Sequence, residues 1–132
     1  MIFGGKRFNH AFIEPTVITD VKPEMAIAKD LEIFGPVFPI IGFDTVEEAI
    51  EIANSSCYGL SSGVMTASME IAMKVANEIE SGTCVIGGTG NYRSAHMPFG
   101  GPKMTGIGRE GVTETLSEYS QIKNVVLKGF GH

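Results

Sequence analysis

Between residues 37 and 86, two helix-patterned stretches alternate with three short apolar runs, and no other feature restricts the fold of this chain as tightly. Asp44 can cap the first stretch, with Glu47 three residues on completing a capping-box pattern. Val46, Ala49, Ile50 and Ala53 then recur at helical spacing, and Gly59 lies past the end. Ser68 can cap the second stretch, whose apolar stripe is Ile71, Ala72, Val75, Ala76 and Ile79, ended by Gly82. The runs around them are residues 37–43, 61–65 and 83–86, and the first lacks strict alternation, the pattern of a strand covered on both faces. Strand, helix, strand, helix, strand is the order of right-handed crossover units on a parallel sheet. The expectation is an α/β fold, a layered and mostly parallel sheet with crossover helices.

The flanks extend this reading. Residues 4–12 are mixed and turn-rich; residues 15–19 form a short β-branched run with Pro15 at its tolerated first position. Residues 22–28 fit one or two helical turns opened by Pro23. A third helix is expected over 111–119 and a final strand over 123–128. No repeat, low-complexity tract or linker divides the chain.

Composition sets the function classes. With 132 residues, 43% of them apolar and 19% charged, the chain can bury one domain's core, which excludes a disordered class. Ten Lys and Arg against fifteen Asp and Glu leave a formal charge of −5, the wrong sign for a nucleic-acid partner. The longest nearly apolar stretch, residues 37–43, is interrupted by Pro39 and Gly42, whereas a helix across lipid needs about 20 residues, so no membrane partner is expected. The opening residues carry no basic region followed by an apolar run, so no secretory signal is read. Cys57 and Cys84 give no disulfide framework and fit a reducing, cytoplasmic setting, which makes the Asn54-Ser-Ser56 glycosylation pattern a coincidence. His10, His96 and His132 lack ligand spacing, so no metal is expected.

Glycine accounts for 17 residues and crowds into 82–111, where backbone geometry must decide most. There, Gly106-Ile-Gly108-Arg-Glu-Gly111 spells G-x-G-x-x-G. A dinucleotide fingerprint needs a strand directly before it and a carboxylate about 20 residues after it. Here a loop with Pro98 and Pro102 precedes it, and residues 128–131 hold no carboxylate. The segment reads as a turn-rich loop feeding a helix, with Glu110 near the positive end of the helix dipole. Cys84 reads as a small buried thiol within a strand, and Cys57 as a loop cysteine with no histidine near it in sequence. Residue types and spacing alone name no reaction.

Three stretches together resemble the C-terminal part of the NAD(P)-dependent aldehyde dehydrogenases. The first is Phe12-Ile-Glu-Pro15-Thr-Val-Ile-Thr-Asp20 with Asp30-Leu-Glu32-Ile-Phe34-Gly-Pro36-Val. The second is Ala53-Asn54, then Tyr58-Gly-Leu60 and Gly63-Val64. The third is Pro98-Phe-Gly-Gly101, Gly106-Ile-Gly-Arg-Glu110, then Tyr119 and Lys123. They follow the family's order and cover nearly the whole chain. Asn91-Tyr-Arg93 before Met97 is similar to members of the lactaldehyde and succinate-semialdehyde type, which act on small hydroxy- or carboxy-aldehydes.

The resemblance implies roles. Glu32 would accept hydrogen bonds from the nicotinamide-ribose hydroxyls, each such charged bond being worth about 1.5–3 kcal/mol when well made. Phe34 would pack near the nicotinamide, Phe99 would line the aldehyde's entry tunnel, and Glu110 would take part in proton movement near thioester hydrolysis. Residues 1–120 would be part of the catalytic domain, and 121–132 an oligomerisation strand and tail. Gly87 stands where the family usually carries Asn, Gly87-Gly88 replaces polar channel-wall residues, and Pro102 stands where an aromatic is frequent. The family's thiol nucleophile, glutamate base and dinucleotide-binding domain fall N-terminal to the matched region, and neither Cys57 nor Cys84 matches the nucleophile. The expectation is therefore an aldehyde dehydrogenase piece, inactive alone, from an enzyme that uses NAD or NADP. The alternative is an assembly module that self-associates as a homo-oligomer, or joins a separate N-terminal half, through its edge strand.

Overall fold

The first helix begins where a hydroxyl can close its opening turn. In the computed structural model, which describes residues 3–129 and 131, α1 runs from Val46 to Asn54 and is capped by Thr45, not Asp44. The Thr45 Oγ1 accepts the Glu48 N–H at 3.1 Å, and the Glu48 carboxylate accepts the Asp44 N–H at 2.7 Å. The capping box is thus present one residue later than expected, because Thr45 and Glu48 satisfy the same three-residue spacing. Glu47 is left to pair with Lys74 on α2. That second helix, Met69–Glu78, is capped as expected by Ser68, whose Oγ accepts the Ile71 N–H at 3.3 Å. Ile50 of α1 and Ala72 of α2 are buried, and α2 also packs on the strands that flank it.

Those strands are β5 (Ser61–Val64) and β6 (Thr83–Ile86), paired in parallel from Ser61 opposite Thr83 to Val64 opposite Ile86, with α2 as the crossover. Strands β3 (Thr16–Ile18) and β4 (Val37–Pro39) form a second parallel pair, with Thr16 opposite Val37. The turn-rich opening is an antiparallel hairpin, β1 (Arg7–Phe8) with β2 (Phe12–Ile13), whose turn holds Asn9 and His10 at positive φ. Short 3-10 turns occupy Ala26–Ala28 and Lys103–Thr105, and α3 runs from Val112 to Glu118. The α/β class and parallel pairing stand, but the strands form three two-stranded sheets. Among the described residues no helix is long and apolar enough to cross a membrane.

Two expected strands differ. The 37–43 run is a strand only at Val37–Pro39, and Phe38 and Phe43 remain 57% and 58% exposed. An apolar run is covered on both faces only where layers lie above and below it, and the described residues supply none here. Residues 123–128 form no strand, because no described segment offers them a ladder partner; Val125, Val126 and Leu127 are exposed. Met1, Ile2, Phe130 and His132, including one of the three histidines weighed for metal binding and one residue of the 128–131 segment, lie outside the described residues.

The glycine crowding has a definite cause. Gly59, Gly82, Gly100 and Gly101 bring three backbone segments together, and the Gly82 N–H donates to the Gly59 carbonyl at 2.9 Å. A Cβ on Gly82 would lie 1.7 Å from the Gly100 oxygen, one on Gly101 2.1 Å from the Gly59 oxygen, and one on Gly59 2.3 Å from the Glu80 oxygen. Beside this crossing Asn54 ties the helix ends together: its Nδ2 donates to the Glu78 carbonyl and its Oδ1 accepts the Glu80 N–H, both at 2.8 Å. Gly82→Ala is expected to lower the free energy of unfolding in urea by about 1–3 kcal/mol or more, the cost of overpacking. Gly42→Ala, whose Cβ meets nothing within 4 Å, should stay within about 0.5 kcal/mol. Equal effects at the two sites would show that the crossing is not tightly packed.

Candidate active-site wall

Beyond the glycine crossing, the chain from Pro98 to Gly111 folds back on itself. Phe99 and Glu110 exchange backbone hydrogen bonds, each 2.7 Å, in a single antiparallel bridge that closes the loop. Inside it Gly108 sits at φ 81°, a conformation costly for any residue with a side chain. The 3-10 turn Lys103–Thr105 precedes the glycine motif and a seven-residue helix follows it. The strand–turn–helix context of a dinucleotide fingerprint is therefore not what surrounds Gly106 and Gly108.

The closed loop walls a cleft of about 540 Å³, lined among others by Glu32, Tyr58, Phe99, Thr105 and Glu110. Glu32 arrives from the segment before β4, so residues about 70 positions apart meet in one concavity. Three of the four side chains singled out in the sequence are brought together. Phe34 is not: it is 93% exposed and lies outside this lining, since no described segment packs against its ring. Among the described residues Glu32 makes no hydrogen bond or ion pair, which leaves its carboxylate oxygens free to accept. Negative charge at Cys57 and then at Glu32 raises the Tyr58 phenol above the ordinary tyrosine range.

The 3-10 turn beneath the cleft is bound to the loop that leaves α1. Lys103 Nζ donates to the carbonyls of Asn54 at 2.7 Å and Ser56 at 3.1 Å and pairs with Glu80 at 2.7 Å, a cation placed at a helix C-terminus. The Met104 N–H donates to the Cys57 carbonyl at 2.8 Å, and the Thr105 Oγ1 accepts the Gly59 N–H at 2.7 Å. Neither cysteine lines the cleft. Cys57 donates its N–H to Asp30 Oδ1 at 2.7 Å. Its thiol is pushed above the ordinary range, first by partial burial and then by the Asp30 carboxylate.

Arg93 is the residue the sequence reading passed over as more than a subgroup mark. Its guanidinium carbon stands 3.9 Å from the centroid of the Phe99 ring, and its Nη2 lies 3.1 Å from Glu110 Oε2. Glu110 therefore turns its carboxylate to Arg93. A cation–π contact at an exposed site is worth about 0.5–1 kcal/mol and an exposed ion pair about 0–1 kcal/mol, so the cluster orients side chains more than it holds the fold. Arg93 also lines a second concavity of about 220 Å³ with Ser61, Asn91, Tyr92 and Met97, and Phe99 borders both spaces. The available signal was an arginine in a chain with few charges, six residues ahead of an aromatic in a glycine-rich loop; no periodicity joins the two.

Comparison with known proteins places the chain in a family. The model of the aldehyde dehydrogenase family matches residues 1–125. The lactaldehyde dehydrogenase of Methanococcus maripaludis is 42% identical over 127 residues, covering 96% of this chain and 27% of that protein. The crystal structure of aldehyde dehydrogenase 21 from Physcomitrella patens, in complex with the reaction product succinate, superposes with a TM-score of 0.90 at 36% identity, covering 98% of this chain and 27% of that one. Glyceraldehyde-3-phosphate dehydrogenase from Methanocaldococcus jannaschii, complexed with NADP, gives a TM-score of 0.86 at 41% identity over 92% of this chain and 26% of that one. The chain thus spans about a quarter of the length of these relatives. A family match along nearly its whole length, with strands and loops in the same places as solved members, makes this chain a member of the aldehyde dehydrogenase family.

Proposed function

We propose that the chain supplies one wall of a site that oxidises an aldehyde to a carboxylic acid, with NAD or NADP as acceptor. The observation that carries the reading is the convergence of Glu32, whose carboxylate has no partner among the described residues, with Phe99 and Glu110 on a single cleft. A bound dinucleotide would supply the hydride acceptor, with Glu32 and Phe34 as the residues of this chain that would hold it. Glu32 fits its ribose because a carboxylate with no partner among the described residues can accept from two hydroxyls. Phe34, fully presented to its surroundings, offers a ring face to the nicotinamide. Phe99 lines the aldehyde's path and excludes water from it. Glu110, released from Arg93, is placed to pass a proton during hydrolysis of the thioester.

The attacking sulfur comes from neither cysteine of this chain. Thiolate is the nucleophilic form, and Cys57 is held as a thiol beside Asp30, away from the cleft, while Cys84 lies within β6. On this reading the isolated chain does not turn over.

The substrate class is a small hydroxy- or carboxy-aldehyde. Arg93 gives one N–H to Glu110 and keeps further donors toward the concavity shared with Asn91 and Tyr92, a setting suited to a carboxylate or hydroxyl tail. A relative named for lactaldehyde and a neighbour holding succinate support this class.

A second reading, favoured by its own observation, is assembly. Val112 and Leu116 on α3 and Tyr119 at its C-cap form an exposed apolar stripe at helical spacing, continued by exposed Ile122, Val125 and Leu127. Such a surface ahead of a segment that forms no ladder among the described residues suits addition to a sheet of another copy, or of a separate aldehyde dehydrogenase half, in the cytoplasm.

The purified chain with aldehyde and NAD or NADP is expected to form no reduced cofactor above a buffer blank; turnover would refute the role given to its cysteines. Light scattering at micromolar concentration should give a dimer or larger species, and a monomer would count against assembly. Alkylation of Cys57 by iodoacetamide at pH 7.5 should be slower than that of an unperturbed thiol such as N-acetylcysteine, because its thiol is raised by partial burial and by Asp30. Asp30→Asn should accelerate it by removing the charge that opposes the thiolate.

A further inference from the structure

The segment that carries Glu32 is moored at its two ends, by Asp30 and by Pro36, whose carbonyl accepts the Thr16 N–H at 2.8 Å where β4 begins. From residue 30 to residue 35, among the described residues, the hydrogen bonds that reach another part of the chain are those of the Asp30 carboxylate. Its Oδ1 accepts the Cys57 N–H at 2.7 Å and the Ser56 hydroxyl at 3.3 Å. The remaining backbone bond inside the segment is local, from the Gly35 N–H to the Ile33 carbonyl. Leu31 and Ile33, on either side of Glu32, are 56% and 42% exposed, so apolar packing does not fix the segment either.

We propose that Asp30 is the positioning residue for Glu32, setting the reach of its carboxylate into the cleft by mooring the 30–35 segment to the loop that leaves α1. The site of attachment is itself rigid. The same loop receives Lys103 at Asn54 and Ser56, Met104 at Cys57 and Thr105 at Gly59, so Asp30 and the floor of the cleft are fastened to one short stretch of backbone. Glu32 lies two residues from the mooring, and Tyr58 one residue beyond Cys57 on the other side. The Asp30 carboxyl is held below the ordinary range, first by the Cys57 N–H, so it stays an anionic acceptor at neutral pH. The consequence for ribose binding rests on the role given above to Glu32; the mooring itself does not.

Tyr58 makes the geometry measurable, because the Glu32 carboxylate is among the charges that raise its phenol. In the full chain, carrying ring-labelled tyrosine assigned with Tyr58→Phe, the Tyr58 resonance is titrated by NMR in four proteins: wild type, Glu32→Gln, Asp30→Ala and the double variant. Glu32→Gln should lower the Tyr58 pKa in the wild-type background and leave it unmoved in the Asp30→Ala background, where Glu32 is no longer held close. Comparing the two backgrounds removes the direct charge effect of Asp30 on Tyr58. Asp30→Asn, whose amide oxygen still accepts the Cys57 N–H, should restore the response to Glu32→Gln. If Asp30→Ala does not fold, Asp30→Glu carries the test: it keeps charge and acceptor but moves the mooring by one methylene, and the response should shrink. An equal response to Glu32→Gln with and without the Asp30 mooring overturns the proposal. NAD or NADP binding that is unchanged by Glu32→Gln would instead count against the ribose role of Glu32, which these titrations do not read.

Discussion

Three stretches of backbone meet at Gly59, Gly82, Gly100 and Gly101 at separations that no side chain permits, and the placement of the cleft follows from that crossing. Gly82 ends the turn after α2, Gly59 opens the approach to β5, and Gly100 and Gly101 lead out of the bridge between Phe99 and Glu110. If these segments were held a Cβ's width apart, the loop carrying Phe99 and Glu110 would stand off the β5–β6 pair, and Thr105 could not reach the Gly59 N–H. Close packing of main chain is therefore what converts distant sequence into one wall.

The wall is polar at a few points and apolar at many. Among the described residues only Val21, Ile50 and Ala72 are buried apolar side chains, while Phe34, Ile107, Tyr119 and Ile122 are close to fully exposed. Parallel strand pairs with uncovered faces are uncommon in isolated domains, because crossover helices and neighbouring strands normally enclose both sides. The same openness that leaves Phe34 exposed leaves α3 and the segment after it with exposed apolar side chains.

Much of the fold could be read in advance, for reasons that individual residues show. Ser68 before the Ile71, Ala72, Val75 stripe is a local signal, and α2 begins there. Thr83 to Ile86 is a compact β-rich run bounded by glycines, and β6 occupies it. The cap of α1 slipped by one residue because two acid-containing pairs share the same spacing. The 123–128 strand failed because alternation describes a strand's faces and says nothing of a partner for its edge. In the site, Glu32, Phe99 and Glu110 were legible through the resemblance and fell together. Arg93 over Phe99, Lys103 on the end of α1 and Asp30 on Cys57 were not, since each is a loop-to-loop contact without a sequence period.

The central claim is that this chain completes a reaction chamber whose attacking sulfur lies elsewhere, with Glu32 on its cofactor side. The most direct measurement replaces the matching quarter of the Methanococcus maripaludis lactaldehyde dehydrogenase by this chain and follows aldehyde-dependent reduction of NAD or NADP. The account expects a folded chimera that turns over, and expects Glu32→Gln within it to cut kcat/KM for the dinucleotide by at least about tenfold, the equivalent of about 1.4 kcal/mol. A folded chimera without turnover, or one indifferent to Glu32→Gln, would contradict it.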